Sequence, residues 1–129
     1  MSMLRYEQIG HWLVVRFGAP RLTDPATISM LNASLEKKLD TLPLRAQVAI
    51  DFRNVEFVSS QIIGMMLSAK DRMGRKHGTL VLTRLGTHVM DVLRITKLDR
   101  QFTIRTSLSE TIGQKSAARN VPSDVRWMD

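Results

Sequence analysis

The stretch QVAIDFRNVEFVSSQIIGMM, residues 47–66, contains the change of hydrophobic pattern that decides the fold. Its first six residues form a short apolar run, which predicts a central β-strand, and RNVE follows as a loop. From Gln61 to His77 the apolar residues recur at helical spacing. Their stripe is formed by Ile62, Met66, Ala69 and Met73, and it is widened by Ile63 and Met65. The stretch predicts a buried strand, a loop and an amphipathic helix that begins beside Ser59 and Ser60.

Similar patterns predict the order β-β-α-β-α-β-α-β-α for the chain. RYEQIGHWLVVRF, residues 5–17, reads as two strands broken at Gly10, and GAPRL reads as a loop. In the next segment Asp24 suits the N-cap and Pro25 suits the first helical position. The apolar stripe of this helix is formed by Ile28, Leu31, Leu35 and Leu39. Because helices alternate with short apolar strands, we predict an α/β fold whose sheet is largely parallel beyond the first hairpin.

The ends of the later elements also carry sequence signals. TLVLT and QFTIRT predict two further strands, and GTHVMDVLRI predicts a short helix between them. Gly78 is the predicted C-cap of the preceding helix, and Thr87 is the predicted cap of the short one. Ser107 and Glu110 have the spacing of a capping box, which predicts a terminal helix.

Length and composition indicate one domain in a reducing compartment. The 129 residues contain no cysteine, and residues 113–129 show no clear periodicity. We therefore expect a domain of residues 1–112 and a loosely ordered C-terminal tail of residues 113–129. No apolar run approaches the roughly 20 residues of a membrane span. The first residues lack a signal-peptide core, so we expect a soluble, cytoplasmic protein without a direct membrane span.

The formal net charge of +7 is unevenly distributed along the chain. Residues 61–129 contain twelve Lys and Arg against six acids, and the excess lies between Lys70 and Arg105. Such a surface could meet nucleic acid, an anionic membrane or an acidic protein, or it could simply be solvated. The aromatic content of 5% disfavours a platform for single-stranded nucleic acid. No recognition-helix motif is present, so we expect no nucleic-acid partner.

Residue combinations typical of enzymes are missing from the sequence. His11, His77 and His88 are widely separated and lack metal-ligand spacing. There is no glycine-rich phosphate loop or dinucleotide fingerprint, and no glycines flank a serine as a nucleophile elbow requires. Asp51 and Glu56 could approach one another, but many surface loops contain two acids. The sequence therefore predicts a non-enzymatic protein with no metal site and no cofactor.

The two serines before the helix allow two interpretations. A serine at this position commonly caps the helix, because its hydroxyl accepts a bond from an unpaired backbone N–H. The same position also tolerates a phosphate, since the helix N-terminus offers N–H donors and a positive dipole end. A phosphate there would place about two negative charges where a partner docks. The residues alone leave both the cap and the switch open.

With this element order and loop, the chain resembles the STAS family, the anti-sigma factor antagonist fold, over about residues 3–112. In that family a strand ending in Asp-Phe precedes a loop of the type Phe-x-Asp-Ser-Ser/Thr-Gly-Leu-Gly and a helix. DFRNVEFVSS, the position of Gly64 and LRITKLDRQFTI are similar to this pattern. The resemblance implies a single domain with a mixed, largely parallel sheet of about four to five strands and helices packed mainly on one face.

The resemblance also implies a regulatory protein-binding role in bacterial signal transduction and transcription. Typical members bind an ATP-dependent serine kinase that is itself an anti-sigma factor. The unphosphorylated antagonist sequesters this kinase and frees the sigma factor, and phosphorylation at the helix start releases the antagonist. We therefore expect a kinase-like ATPase or anti-sigma factor as the partner.

Position by position, this chain departs from the family motif. Phe57 aligns with the motif's Phe, and Gly64 aligns with its second Gly. Ser59 then stands at the position of the family's Asp, and Ser60 stands at that of its first Ser. Gln61 occupies the position of the phosphate-accepting Ser/Thr, and Ile62 replaces the first Gly. Glutamine cannot accept a phosphate and carries no charge. The usual switch is therefore predicted to be absent, and Ser60 and Ser59 remain as possible phosphorylation sites.

The expected docking surface is the loop and helix start at 57–64, together with an acidic residue at the start of the first helix. Its predicted residues are Asp24, Val58, Ser59, Ser60, Gln61, Ile62 and Gly64. Ile62 and Ile63 are either exposed anchors for the partner or core residues. An alternative function is a small STAS subunit of a membrane lipid transporter, or a stress-signalling scaffold. In that case KDRMGRK, residues 70–76, would face acidic protein or lipid headgroups.

Overall fold

The computed structural model describes residues 3–112, and the predicted tail lies outside the described residues. The strands are β1 (Leu4–Ile9), β2 (Trp12–Phe17), β3 (Arg21–Leu22), β4 (Gln47–Asp51), β5 (Phe57–Val58), β6 (Thr79–Thr83) and β7 (Thr103–Arg105). The helices are α1 (Pro25–Asp40), α2 (Ser60–Arg75) and α3 (Thr87–Ile95). Residues 108–112 are also helical and are called α4.

Five strands form one mixed sheet in the order β1-β2-β4-β6-β7. β1 and β2 are an antiparallel hairpin, and the chain turns at Gly10, whose φ of 60° is a conformation that glycine adopts at low cost. The pairs β2–β4, β4–β6 and β6–β7 are all parallel. The predicted α/β fold with a mixed, largely parallel sheet is confirmed.

A second, two-stranded sheet joins β3 to β5. Arg21 pairs with Phe57 and Leu22 pairs with Val58, in parallel. The prediction that GAPRL is entirely a loop is therefore wrong for its last two residues. Two residues are too few to show the alternation by which a strand is recognised. Since β3 leads into α1 and β5 leads into α2, this small sheet places the beginnings of the two helices side by side.

The main core lies between the five-stranded sheet and helices α1, α2 and α3. Alternate residues of β2 illustrate the two faces: Val15 packs in this core, whereas Val14 packs on the other face. The predicted stripes of α1 and α2 are buried. On the opposite face, Ile112 of α4 joins a smaller cluster that contains Trp12. Three helices thus cover one face, as predicted, and α4 covers part of the other.

The end of α2 differs from its predicted form. His77, not Gly78, adopts the left-handed conformation, with a φ of 55°. The N–H of Gly78 donates to Met73 O at 2.8 Å and that of His77 donates to Gly74 O at 3.0 Å, which is a Schellman motif. A Cβ at residue 78 would lie 2.7 Å from Ala46 O. Glycine is therefore needed at residue 78 because of close packing and not because of its φ.

Of the caps predicted for the last two helices, the one at α3 is wrong and the one at α4 is confirmed in part. Thr87 is the first residue of α3, and the N-cap is Gly86, which makes no side-chain bond. At α4, Ser107 Oγ accepts a bond from the N–H of Glu110 at 3.0 Å. The carboxylate of Glu110 accepts from the hydroxyl of Thr106 at 2.6 Å. The Ser107 half of the predicted capping box is therefore present.

Candidate functional site

The start of α2 has a serine at the cap position, but its side chain makes no cap. Ser59 is the N-cap residue and has extended backbone angles, φ −90° and ψ 168°. Its backbone N–H donates to Leu22 O at 3.0 Å, which continues the pairing of β3 with β5. Its Oγ is buried and has no hydrogen-bond partner within the described part of the chain. The interpretation of Ser59 as a side-chain cap is wrong, because its hydroxyl does not bond to the helix N–H groups.

The next two residues are exposed, and the second of them, Gln61, links α2 to α1. Ser60 is the first residue of α2 and is exposed to solvent. Gln61 Nε2 donates to Pro25 O at 3.3 Å and to Ser29 Oγ at 3.2 Å. Both acceptors belong to the beginning of α1. Gln61 therefore connects the two helix starts through a polar contact at the surface.

A shallow groove of about 330 Å³ runs beside this contact, between α1 and α2. Its wall includes Ile28, Ser29, Asn32, Gln61, Gly64 and Met65. A Cβ added at Gly64 would meet no heavy atom within 4 Å. Packing within the described chain therefore does not require glycine at residue 64, and the groove is open at that point.

Three predicted apolar site residues lie in the core. Val58 is 7% exposed, Ile62 is 0% exposed and Ile63 is 5% exposed. The interpretation of the isoleucines as exposed anchors is wrong, because both face the sheet as part of the buried stripe of α2. The surface of the predicted loop is formed by its polar residues, Ser60 and Gln61, and by Gly64.

Asp24 caps α1 as predicted. Its carboxylate accepts from the backbone N–H of Thr27 at 2.9 Å and from the hydroxyl of Thr27 at 2.6 Å. The hydroxyl bond and then the backbone bond hold the pKa of Asp24 below its ordinary value. Asp24 is exposed and directly precedes Pro25, whose carbonyl contacts Gln61. The structure thus brings the first turn of α1 next to the start of α2.

A cluster of three side chains at the same end of the molecule was not predicted. The ring of Phe57, 37% exposed, has the Arg21 guanidinium 4.6 Å from its centroid. The ring of His88 lies 5.0 Å from that of Phe57. These residues come from β3, β5 and α3, so no local spacing relates them. Only the alignment of Phe57 with the family motif drew attention to this position.

The basic stretch KDRMGRK is largely engaged in contacts within the chain. Arg72 pairs with two carboxylates of α1, at 2.8 and 3.3 Å. Arg75 pairs with Asp71 at 2.6 Å, the i,i+4 contact expected on a helix. Lys76 Nζ donates to the backbone carbonyl of residue 42 at 2.7 Å. These three cations therefore contribute to packing and to surface pairing.

A cluster of charges at the ends of β2, β4 and β6 was also missed. The Asp51 side chain has 0% exposure, and Asp51 lies opposite Arg16 in the strand register. It accepts from Arg16 Nε at 3.1 Å, from Arg84 Nε at 3.0 Å and from the Arg53 N–H at 3.0 Å. Arg84 Nη2 also bonds to it, and Arg16 pairs in turn with Glu7. The buried carboxylate is therefore fully partnered.

This cluster raises the pKa of one arginine. Burial lowers the pKa of Arg16, but its bonds to Glu7 and Asp51 outweigh burial, so the pKa lies above the ordinary value. The cluster has no sequence signature, because Arg16 and Arg84 are 35 and 33 residues from Asp51. Only the register of neighbouring parallel strands brings them together.

Two general properties concern residues 3–112. Within this range no group of three or more His, Asp or Glu side chains is arranged to hold a metal ion. None of the described helices combines the length and apolar character needed to cross a bilayer.

Comparison with known protein families gives a match over most of the chain. The model of the STAS domain matches residues 3–111. This chain belongs to the STAS domain family. A comparison with curated proteins found no matching sequence. The resemblance based on the Asp51-to-Gly64 region and on the element order is thereby confirmed.

Solved structures share the fold of this STAS domain. An anti-sigma-factor antagonist (STAS) domain protein from Planctomyces limnophilus has a TM-score of 0.78 and 20% identity, covering 84% of this chain and 93% of its own. An anti-sigma factor antagonist from Mycobacterium paratuberculosis has a TM-score of 0.73 and 18% identity, covering 86% and 91%. The unphosphorylated anti-sigma factor antagonist SpoIIAA has a TM-score of 0.71 and 17% identity, covering 92% and 97%. At these identities the likeness establishes the fold.

Proposed function

We propose that this STAS domain is a non-enzymatic regulatory module of the bacterial cytoplasm that binds a kinase-like ATPase acting as an anti-sigma factor. The observation that carries the proposal is the exposed start of α2, where Gln61 stands at the position of the family's phosphate acceptor. In support, SpoIIAA, an anti-sigma factor antagonist solved in unphosphorylated and phosphorylated forms, shares the fold. We therefore assign Ser60 and Gln61 to docking.

The proposed docking surface consists of the accessible groups around the two helix starts. Asp24, Ser60, Gln61 and Gly64 are exposed, and the groove between α1 and α2 opens beside them. Phe57 adds a partly exposed aromatic ring at the edge of this surface. Of the other residues of the predicted site, Val58 and Ile62 are buried in the core, and Ser59 is partly exposed with a buried hydroxyl.

We also propose that binding is not controlled by a phosphate at residue 61. The amide of Gln61 has no hydroxyl to modify, and it is held by Pro25 and Ser29. The hydroxyl of Ser59 is buried, which hinders a kinase. Ser60 is the exposed serine next to Gln61, so it is the position at which a remaining switch would operate.

The first test measures affinity for an anti-sigma-factor kinase encoded in the same genome, by calorimetry with a non-hydrolysable ATP analogue. Gln61→Glu replaces the amide donor by a carboxylate facing Pro25 O, and it adds a charge at the surface. We expect the affinity to fall about tenfold or more, because an uncompensated charge would be buried on docking. The control variant Gln101→Glu makes the same chemical change at an exposed residue in the turn before β7. It should leave the affinity unchanged. Equal affinities for all three proteins would overturn the proposed surface.

The second test concerns the switch. Gln61→Ser restores a hydroxyl where the family alignment places the acceptor. With the kinase and ATP, intact-mass spectrometry should find one added phosphate on this variant and none on the wild type. Phosphate on wild-type Ser60 together with release of the kinase would contradict the switch-free proposal.

The alternative function, a transporter subunit, predicts a different result. The domain would then bind no such kinase, and a pull-down would recover transporter subunits equally with wild type and with Gln61→Glu.

A further inference from the structure

A cavity of about 510 Å³ lies on the side of the sheet away from α1–α3. It is open to solvent and is bordered by the β1–β2 hairpin, the segment after β4, the residue after β6 and the beginning of α4. Its wall includes three arginines, Arg16, Arg53 and Arg84. The cavity is independent of the proposed docking surface, and nothing in the proposed function uses it.

Asp51 fixes two of these arginines in place. Its buried carboxylate lies beneath them and accepts from Arg16 Nε and from Arg84 Nε and Nη2. Arg84 has a φ of 55°, an uncommon conformation outside glycine, so these bonds hold an unfavourable backbone. A guanidinium has five N–H donors, and each of these arginines uses two of them on carboxylates. Preorganised donors therefore remain for a further acceptor.

The charge of the cavity exceeds what Asp51 requires. Among the residues that the structure describes, the ion pairs of this cluster involve Arg16 and Arg84 but not the Arg53 side chain. Arg53 contacts Asp51 only through its backbone N–H, at 3.0 Å. The wall contains one carboxylate, that of Glu7, against three guanidinium groups. Asp51 and Glu7 together balance the charges of Arg16 and Arg84, and the charge of Arg53 is in excess of these two acids.

We propose that this cavity binds a small anion that carries a phosphate group. A phosphate presents several oxygens in different directions, which suits guanidinium donors that come from three separate strand ends. The volume is in the range of small-molecule sites and exceeds what a bare phosphate fills. Ile9, Leu108 and Ile112 form an apolar part of the wall, against which the organic part of a phosphate ester would pack.

The test is an NMR titration of the full chain, following backbone amides and arginine Nε–H signals. Inorganic phosphate is added first and glycerol 3-phosphate in a second titration, with ionic strength held constant by chloride. We expect saturable shifts of the Nε–H signals of Arg16, Arg53 and Arg84. Glycerol 3-phosphate should additionally shift the amide signals of the apolar wall.

The variants Arg53→Gln and Arg94→Gln remove one positive charge each. Arg53→Gln keeps the backbone bond to Asp51, so the fold is retained, and it should weaken phosphate binding about tenfold or more. Arg94 is exposed on α3, which packs on the opposite face, and its variant should bind within about twofold of wild type. Shifts that grow linearly without saturation, or equal weakening by both variants, would overturn the proposal. Binding to phosphatidylglycerol vesicles without any response to the two soluble probes would overturn it as well, because it would indicate a membrane surface.

Discussion

The start of α2 and the Asp51 cluster lie at the same end of the chain's parallel strands, but their polar groups are satisfied very differently. At the start of α2, the hydroxyl of the cap serine, Ser59, makes no bond to the helix, and Gly64 occupies a helical position that packing leaves open. At the cluster, every contact of the buried Asp51 carboxylate is made with a charged side chain or a backbone N–H. The first region is thus below its stability optimum, whereas the second is firmly held.

This difference is informative because stability and function often compete at one position. Residues that could be replaced to stabilise a fold are commonly kept where a surface must meet another molecule. The unbonded hydroxyl of Ser59 and the open position at Gly64 support the proposal that the α2 start is a docking surface. The Asp51 cluster is a rigid support, and it presents further donors to a neighbouring cavity.

The largest expected effect comes from breaking the cluster. Asp51→Asn removes the charge that neutralises Arg16 and Arg84 and should lower the free energy of unfolding by roughly 3 kcal/mol, since a buried ion pair loses one partner. Asp71→Asn, at the exposed pair with Arg75, should change it by less than about 1 kcal/mol. Urea denaturation of both variants measures the difference. If Asp51→Asn is as mild as Asp71→Asn, the cluster is not a rigid support.

A smaller effect on stability is expected when the two cap serines, Ser107 and Ser59, are replaced by alanine. Ser107→Ala removes the bond to the N–H of Glu110 and should lower the free energy of unfolding by about 1 kcal/mol. Ser59→Ala removes a buried hydroxyl without a partner, so it should cost less than about 0.5 kcal/mol or even stabilise the protein. Thermal and chemical denaturation give both values. A larger loss for Ser59→Ala than for Ser107→Ala would show that the Ser59 hydroxyl is bonded in solution.

The smallest effect on stability is expected when two glycines of the same helix are replaced by alanine. Gly64 and Gly74 are both exposed in α2, and a Cβ at either would meet nothing within 4 Å. Each change to alanine should stabilise the protein by about 0.5–1 kcal/mol, through helix propensity. Only Gly64→Ala should weaken partner binding, because Gly64 lines the groove of the proposed surface. Equal partner affinities for the two variants, measured by calorimetry, would separate Gly64 from docking.

Much of the fold could be predicted from the sequence because its signals are local. The buried stripe of α1 and the Asp24 cap follow from spacings of three or four residues. In β2, the two-residue period of a strand likewise accounts for Val14 and Val15 lying on opposite faces. Such patterns indicate which side of an element packs against the core, and they can be recognised in a single sequence.

The remainder depends on contacts between distant positions. The pairing of β3 with β5 joins two segments of two residues, and no periodicity shows in either. The Arg16–Asp51–Arg84 contacts arise from the register of three strands. At the site, the motif resemblance indicated the region around Gln61 but not which side chains are buried. The orientation of Ile62 and Ile63 depends on how α2 packs against the sheet.

Of the strands that the structure describes, β1 and β7 are the edges of the five-stranded sheet. Exposed charged residues, Arg5 and Glu7, lie along β1, and β7 has only three residues. Charged or very short edge strands discourage the addition of a further strand from another chain. The sheet is thus protected against edge-to-edge aggregation, so specific partners are expected to meet the helices and loops instead of extending the sheet.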